Sequence, residues 1–277
     1  MSSPIMLQFS GPPIVIEAIP LTREAFAPFG DVIENPRPTT NPSSFSSLPL
    51  LSRSSLPFNP VPANQGSAIK YQHVSRPINL YSQAPSGRPG EPVMNIFVCA
   101  ARVPLPPTAE GPPSEFHVSI LERHPYTTQT FTPLTADPSA RYLVIVAPTL
   151  PPDSPGAANL SSDGPDAEPS PALPTPASIP SGASYPRPLP GPGMPDLKQM
   201  RAYVATASQA VTYGAGTWHA PMVALGMEGT AVDFVVSQFA NGVVVEDCQE
   251  VVFGPGVTVK VPPSAVSGKR EARAFKL

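Results

Sequence analysis

Met200-Arg-Ala-Tyr-Val-Ala-Thr-Ala-Ser-Gln-Ala-Val-Thr-Tyr-Gly-Ala-Gly-Thr-Trp-His-Ala-Pro-Met-Val-Ala-Leu225 holds three short apolar runs in quick succession. Residues 200–205, 210–213 and 222–225 read as strands, and Ser-Gln, Gly and Pro punctuate them. Short strands broken by Gly/Pro turns argue an antiparallel sandwich or barrel over a parallel sheet. The same rhythm continues in residues 232–239 and in 251–261, the latter interrupted by Gly254-Pro255-Gly256. Upstream, residues 14–19, 68–71, 94–102, 116–122 and 141–147 are further apolar extended runs. Residues 21–30 read as one short helix ended by Gly30, and 31–34 as extended again. Thr22 is suited to cap that helix, although Ala25 at the third helical position denies it a capping box. The expected fold is therefore mainly β, a barrel or sandwich with a short N-terminal helix, and its mouth can hold one ligand.

Composition sets the bounds around this core. The 277 residues include 43 Pro, with 41% hydrophobic and only 13% charged side chains. That Pro content is about three times the ordinary share, while the apolar fraction still supports a core. A single domain over 1–277 with excluded segments reconciles the two. Residues 36–66 form an irregular, Pro/Ser/Asn-rich insertion. Residues 148–195 form a second, with fifteen prolines and no apolar period, read as a disordered or polyproline-like loop. A net charge of −3 gives no reason to expect nucleic acid or an anionic membrane as partner. No run reaches the ~18 apolar residues of a membrane span. The first ten residues lack the pattern of a secretory signal, and Cys99 and Cys248 are far apart, so a reduced cytoplasmic protein is expected. The terminal Phe275-Lys276-Leu277 is a weak match to a peroxisomal tripeptide.

Two segments carry candidate chemistry. In the first, Gly214 and Gly216 precede Trp218-His219, and Gly lets a chain turn tightly enough to deliver an imidazole at a strand mouth. The bland alternative makes Trp218 a core anchor and His219 its hydrogen-bonded neighbour. In the second, Glu122-Arg123-His124 is extended, so Glu122 and His124 share a face while Arg123 points the other way as a structural ion-pair residue. Gln129 returns to the first face after the Pro125-Tyr126 bend. The pattern Glu122-x-His124-x4-Gln129 followed by Gly216-x-x-His219 resembles the two halves of a cupin metal site. Nitrogen and oxygen donors of this kind suit nickel, manganese, iron or zinc. The competing reading keeps Glu122 and Arg123 as rim charges and His124 as a turn residue. Four other residues are weighed beside them. Arg102 ends an apolar strand, and Arg offers a bidentate fork that Lys70 lacks. Tyr71 either packs or hydrogen-bonds a ligand, and Asp233 either supports His219 or caps a strand. His73 and His117 have no partner pattern.

Taken together, Leu21-Thr-Arg-Glu-Ala-Phe-Ala-Pro-Phe-Gly-Asp-Val-Ile-Glu34, Leu121-Glu-Arg-His-Pro125 with Gln129-Thr-Phe131, and Trp218-His219-Ala-Pro221 resemble the ureidoglycolate lyase family. The resemblance implies a cupin-like barrel, usually a homodimer, acting in purine and allantoin breakdown on a small-molecule substrate. It also implies a divalent metal, nickel or manganese ahead of zinc, and no organic cofactor. The implied reaction splits (S)-ureidoglycolate into urea and glyoxylate. Glu122, His124 and His219 become the catalytic residues and, with Gln129, the metal ligands; Arg102, Lys70, Tyr71 and Asp233 become substrate contacts. Whether Glu122 is ligand or base is left open. Two alternatives stand beside this reading: another metal-dependent cupin, such as a dioxygenase or isomerase, and a non-catalytic cupin that binds a small acid. The chain departs from the family in two places. Ala220 stands where many relatives carry a second His, and the 148–195 insertion is longer than in bacterial members.

Overall fold

The computed structural model describes residues 5–7, 13–105, 111–150 and 193–266. Its strands, in chain order, begin with β1 (Ile5–Leu7), β2 (Ile14–Glu17), β3 (Ile19–Pro20), β4 (Gly30–Ile33), β5 (Val61–Ala63) and β6 (Ala68–Lys70). The long strands follow: β7 (Glu91–Val103), β8 (Ser114–Arg123), β9 (Gln129–Pro133) and β10 (Arg141–Ala147). After the long insertion come β11 (Arg201–Thr206), β12 (Ala210–Tyr213), β13 (Trp218–His219), β14 (Val223–Leu225), β15 (Ala231–Ala240) and β16 (Gln249–Val261). All but β5 and β6 join one curled sheet, whose path runs β16-β8-β13-β10-β14-β7-β15-β9-β12-β4. The mainly β expectation holds. Every pairing between two long strands is antiparallel, while the short β1, β2, β3 and β14 add parallel contacts that sequence rhythm did not foresee.

Strand β10 shows why the sheet curls. It pairs with β11 along one edge and with β14 and β13, end to end, along the other. Its side chains alternate between two cores. Tyr142, Val144 and Val146 join Phe26, Phe131, Tyr203, Val211, Tyr213 and Phe234. Leu143, Ile145 and Ala147 join Leu121, Val204, Trp218, Val223 and Val259. Burial on both faces is the reason this strand reads as an unbroken apolar run. The first core is strongly aromatic: Phe26, Tyr203 and Tyr213 meet edge to face, as do Tyr142 and Phe234. Phe26 comes from the short helix α1 (Arg23–Phe26), whose N-cap Thr22 accepts from the Ala25 amide at 3.2 Å.

The excursion at 36–66 is less irregular than its composition implied. It holds two single-turn helices, α2 (Pro42–Ser46) and α3 (Leu50–Ser54), and the first strand of the β5–β6 hairpin. Asn41 caps α2 by accepting from the Ser43 amide, Pro42 opens it, and Phe45 is fully buried. Of the 148–195 insertion, residues 151–192 lie outside the described residues, so the disorder expected there is not addressed. Its two ends are zipped together: Leu150 N donates to Met194 O at 2.7 Å and Asp196 N to Pro148 O at 2.8 Å. A long excursion that leaves and returns at one point need not disturb the sheet it interrupts. The terminal Phe275-Lys276-Leu277 also lies outside the described residues. Among the described residues no helix is long and apolar enough to cross a membrane.

Candidate active site

The site forms where β8, β13 and β16 lie side by side. In register, His219 faces Glu122, and Glu122 faces Glu250 on its other side. Two backbone devices complete the placement. Gly216, at φ 76°, turns the chain into β13, and its amide donates to the carbonyl of His124 at 2.8 Å. A positive φ is what makes glycine suitable there. Gly214 N and Thr217 Oγ1 both donate to Phe29 O, which ties the same turn to the end of α1. The two histidines, about a hundred residues apart in sequence, thus sit with ring centroids 5.6 Å apart.

Alternation separates two faces. Trp218 and Arg123 turn into the second core, with the guanidinium 4.5 Å from the indole ring. Arg123 Nε donates to Gln249 Oε1 at 3.0 Å, and the indole Nε1 donates to Gly193 O at 3.3 Å. On the other face, Glu122 Oε1 lies 3.4 Å from His219 Nε2. The ligand atoms of Glu122, His124 and His219 all fall within 4.8 Å of one another. Gln129 Oε1 is 3.1 Å from His219 Nε2, and its amide nitrogen donates to Gln238 Oε1 at 2.7 Å.

The proton positions follow from the partners. His219 Nδ1 is 2.9 Å from Thr217 O, and His124 Nδ1 is 2.6 Å from Asp247 O. A carbonyl only accepts, so both rings carry their proton on Nδ1, and neutral rings present bare Nε2 lone pairs. His219 Nε2 would accept a hydrogen bond from the Gln129 amide if both glutamine amides turned over. His124 Nε2 has no such recourse: it is buried without a hydrogen-bond partner. An unsatisfied buried acceptor costs about 1–3 kcal/mol. A backbone carbonyl holding Nδ1 while Nε2 faces a carboxylate and a second imidazole is the arrangement of a metal-ligating histidine. The residues present fit a divalent cation held by Glu122, His124, His219 and the oxygen of Gln129.

Burial pushes the Glu122 carboxyl up, but its interactions with His219 and then His124 outweigh it and hold it below its ordinary value. Burial, reinforced by His219, pushes His124 below the usual imidazole value, against the opposing pull of Glu122. At neutral pH the pair is thus an ionised carboxylate beside a neutral ring.

The sequence reading missed several neighbours. Tyr213 stacks on His219 at 3.9 Å and 10° between planes, so a residue read only as strand aliphatic-aromatic pattern locks the ring. Cys248 and Glu250 crowd the far side of Glu122, with ligand atoms again within 4.8 Å. Burial, followed by the Glu122, Glu250 and Asp247 charges, pushes the Cys248 thiol up to about 12. Only the register of β16 on β8 reveals that contact.

The expected substrate contacts are placed elsewhere. Arg102 is exposed, with its guanidinium over the Phe116 ring at 4.8 Å. Phe116 precedes Glu122 by six strand residues, roughly 20 Å along β8. Within one chain, Arg102 therefore lies over the end of β8 opposite to the one that carries Glu122. Asp233 pairs with exposed Val98 on the outer face, while its neighbours Val232 and Phe234 point inward, so it does not support His219. The Thr217 carbonyl does that instead. Lys70 is exposed on the separate β5–β6 hairpin. The Tyr71 hydroxyl is buried with no hydrogen-bond partner. His117 is exposed beside Thr258, and His73 sits at φ 54° in a loop.

A protein-family profile described as ureidoglycolate lyase matches residues 13–260, which takes in β8, β13 and all of β16 but its last residue. The chain belongs to the ureidoglycolate lyase family. Among curated relatives, the ureidoglycolate lyase of Schizosaccharomyces pombe is 34% identical over 236 residues, covering 84% of this chain and 89% of its own. Those of Burkholderia mallei and Saccharomyces cerevisiae are 29% and 27% identical over 217 and 219 residues, each covering 78% of this chain. The family match thus spans both halves of the candidate site, on either side of the long insertion.

Proposed function

We propose that this protein is a ureidoglycolate lyase, a carbon–nitrogen lyase that releases urea and glyoxylate from (S)-ureidoglycolate. The observation that carries the reading is the unpartnered Nε2 of His124, buried beside the ionised Glu122 and the locked ring of His219. A retired site has no physical reason to keep such groups together, since each buried polar atom without a partner destabilises the fold.

The substrate carbon bears a hydroxyl, a carboxylate and the urea nitrogen. Glu122, kept ionised, takes the hydroxyl proton. The oxygen electron pair becomes the aldehyde carbonyl as the carbon–nitrogen bond breaks. The departing nitrogen keeps the bonding pair and recovers the proton from the Glu122 carboxyl, so one side chain serves both steps. His124, His219 and Gln129 would hold a divalent cation, preferably nickel or manganese, which would polarise substrate oxygens. Thr217 and Asp247 carbonyls and the Tyr213 ring keep the two imidazoles from turning. An assay that identifies the nitrogen product with coupled urease, with and without chelator, tests substrate, reaction and metal together. Ammonia formed without urease would replace this reading by a hydrolase.

We further propose that two copies pair through β7. Met94, Ile96 and Val98, on its outer face, are 74%, 58% and 69% exposed, and Phe97 on the inner face is 42% exposed. Only β15 pairs with its Glu91–Ala100 portion among the described residues. Exposed apolar strands with a free edge invite a second strand. Antiparallel pairing about a two-fold axis at Ile96 would set Met94 against Val98 on the outer face.

A further inference from the structure

Tyr81 lies outside every motif of the site, yet it is fully buried and its hydroxyl donates to Asp247 Oδ1 at 2.6 Å. That carboxylate is held at two more points, and its main chain at a third. Oδ1 also accepts from Asn241 N and Oδ2 from Gly242 N, both at 2.8 Å, and the Asp247 amide donates to Val243 O. Asp247 ends the single-turn helix α4 (Val244–Asp247), and its main-chain carbonyl is the group that accepts from His124 Nδ1 at 2.6 Å. One turn of helix cannot hold its own orientation. A second anchor grips the same turn from its other side, where Glu246 accepts from Ser86 N, Ser86 Oγ and Asn241 Nδ2. Tyr81 also packs its ring on Tyr126, two residues beyond His124, at 5.7 Å between centroids. The hydroxyl thus braces the acceptor, and the ring braces the strand end that carries the imidazole.

We propose that Tyr81 is a positioning residue: through Asp247 it fixes the His124 ring with its proton on Nδ1 and Nε2 directed at Glu122. Without the hydroxyl, Asp247 keeps its two amide contacts but loses its shortest side-chain bond, and α4 gains freedom to tilt its last carbonyl away from His124. The ring can then exchange tautomers, because nothing else holds Nδ1. Groups of this kind commonly change metal affinity or activity about 10–100-fold when altered. The proposal rests on the assignment of His124 as a ligand only for its affect on cation binding; the tautomer itself is independent of that.

The experiment compares the full chain with Tyr81→Phe, which keeps the ring packing, and Tyr126→Phe, which removes a hydroxyl that does not touch Asp247. Long-range proton–nitrogen correlation spectra of the histidines, taken without metal at neutral pH, read the His124 tautomer. Calorimetric titration with Ni2+ reads affinity, and thermal melts read stability. Tyr81→Phe should give His124 a mixed tautomer and weaken Ni2+ about 10-fold, with Tyr126→Phe like wild type in both. A pure Nδ1–H tautomer in Tyr81→Phe overturns the proposal, whatever the melting temperature does. If wild type binds no Ni2+ while the tautomer still responds to Tyr81→Phe, the positioning role stands and the metal reading fails.

Discussion

The two faces of the β8–β13 pair are built by adjacent residues and have opposite chemistry. On one face Leu121, Arg123 and Trp218 are closed into a core, with the guanidinium and indole N–H groups donating to Gln249 and Gly193. On the other, Glu122, His124 and His219 converge with lone pairs toward each other and one of them unpartnered. A packed face minimises its own energy, whereas the second is incomplete until something binds. Substitutions one residue apart should therefore separate function from stability.

The largest effect expected is on the open face. Glu122→Gln should lower glyoxylate release about 10³-fold, because general acid–base groups are worth 10²–10⁴-fold, and His219→Ala should lower it strongly by removing a side chain that would hold the cation. Wild-type turnover in either variant would remove these residues from the site. On the closed face, Trp218→Ala should destabilise the fold by about 3–5 kcal/mol in denaturant unfolding, the usual cost of deleting a buried aromatic. A Trp218→Phe protein, which keeps much of the volume, should retain turnover, and a hundredfold loss there would blur the division between faces.

Acid should distinguish the faces as well. The Glu122 carboxyl is held below its ordinary value in the fold, so its ionised form adds stability above the unfolded value, and that contribution disappears as pH falls through the folded value. The stability gap between wild type and Glu122→Gln should be flat above about pH 5 and shrink below it. A gap that instead grew in acid would reverse the assigned sign. The smallest effect on chemistry belongs to β7: Ile96→Lys should convert dimer to monomer in light scattering, with the monomeric site chemistry intact.

The same alternation explains how much was legible beforehand. Glu122 and His124 on one face and Arg123 on the other followed from strand periodicity alone, as did Trp218 opposite His219. The Thr22 cap and the Arg141–Ala147 strand were equally readable, since both rest on neighbours within one turn or one run. For Arg102 the strand was legible but its distance from Glu122 was not, because that distance depends on how β7 lies against β8. Tyr213 on His219, Cys248 and Glu250 beside Glu122, and Tyr81 behind Asp247 carry no local signal. They are set by register and by contacts between residues up to 166 positions apart.

Strands β7 and β10 show where the boundary lies. Both read as apolar runs, yet β10 is buried between two cores and much of β7 is bare. By itself the sequence determined the β class, the family, the alternation of side chains and the presence of an acid, two imidazoles and an amide at family spacing. Only the tertiary structure decided which carbonyl holds each Nδ1, which lone pair is stranded, and which apolar strand is left uncovered. The reason is physical: periodicity is a property of consecutive residues, while hydrogen-bond satisfaction and burial depend on which distant strands the curled sheet brings alongside.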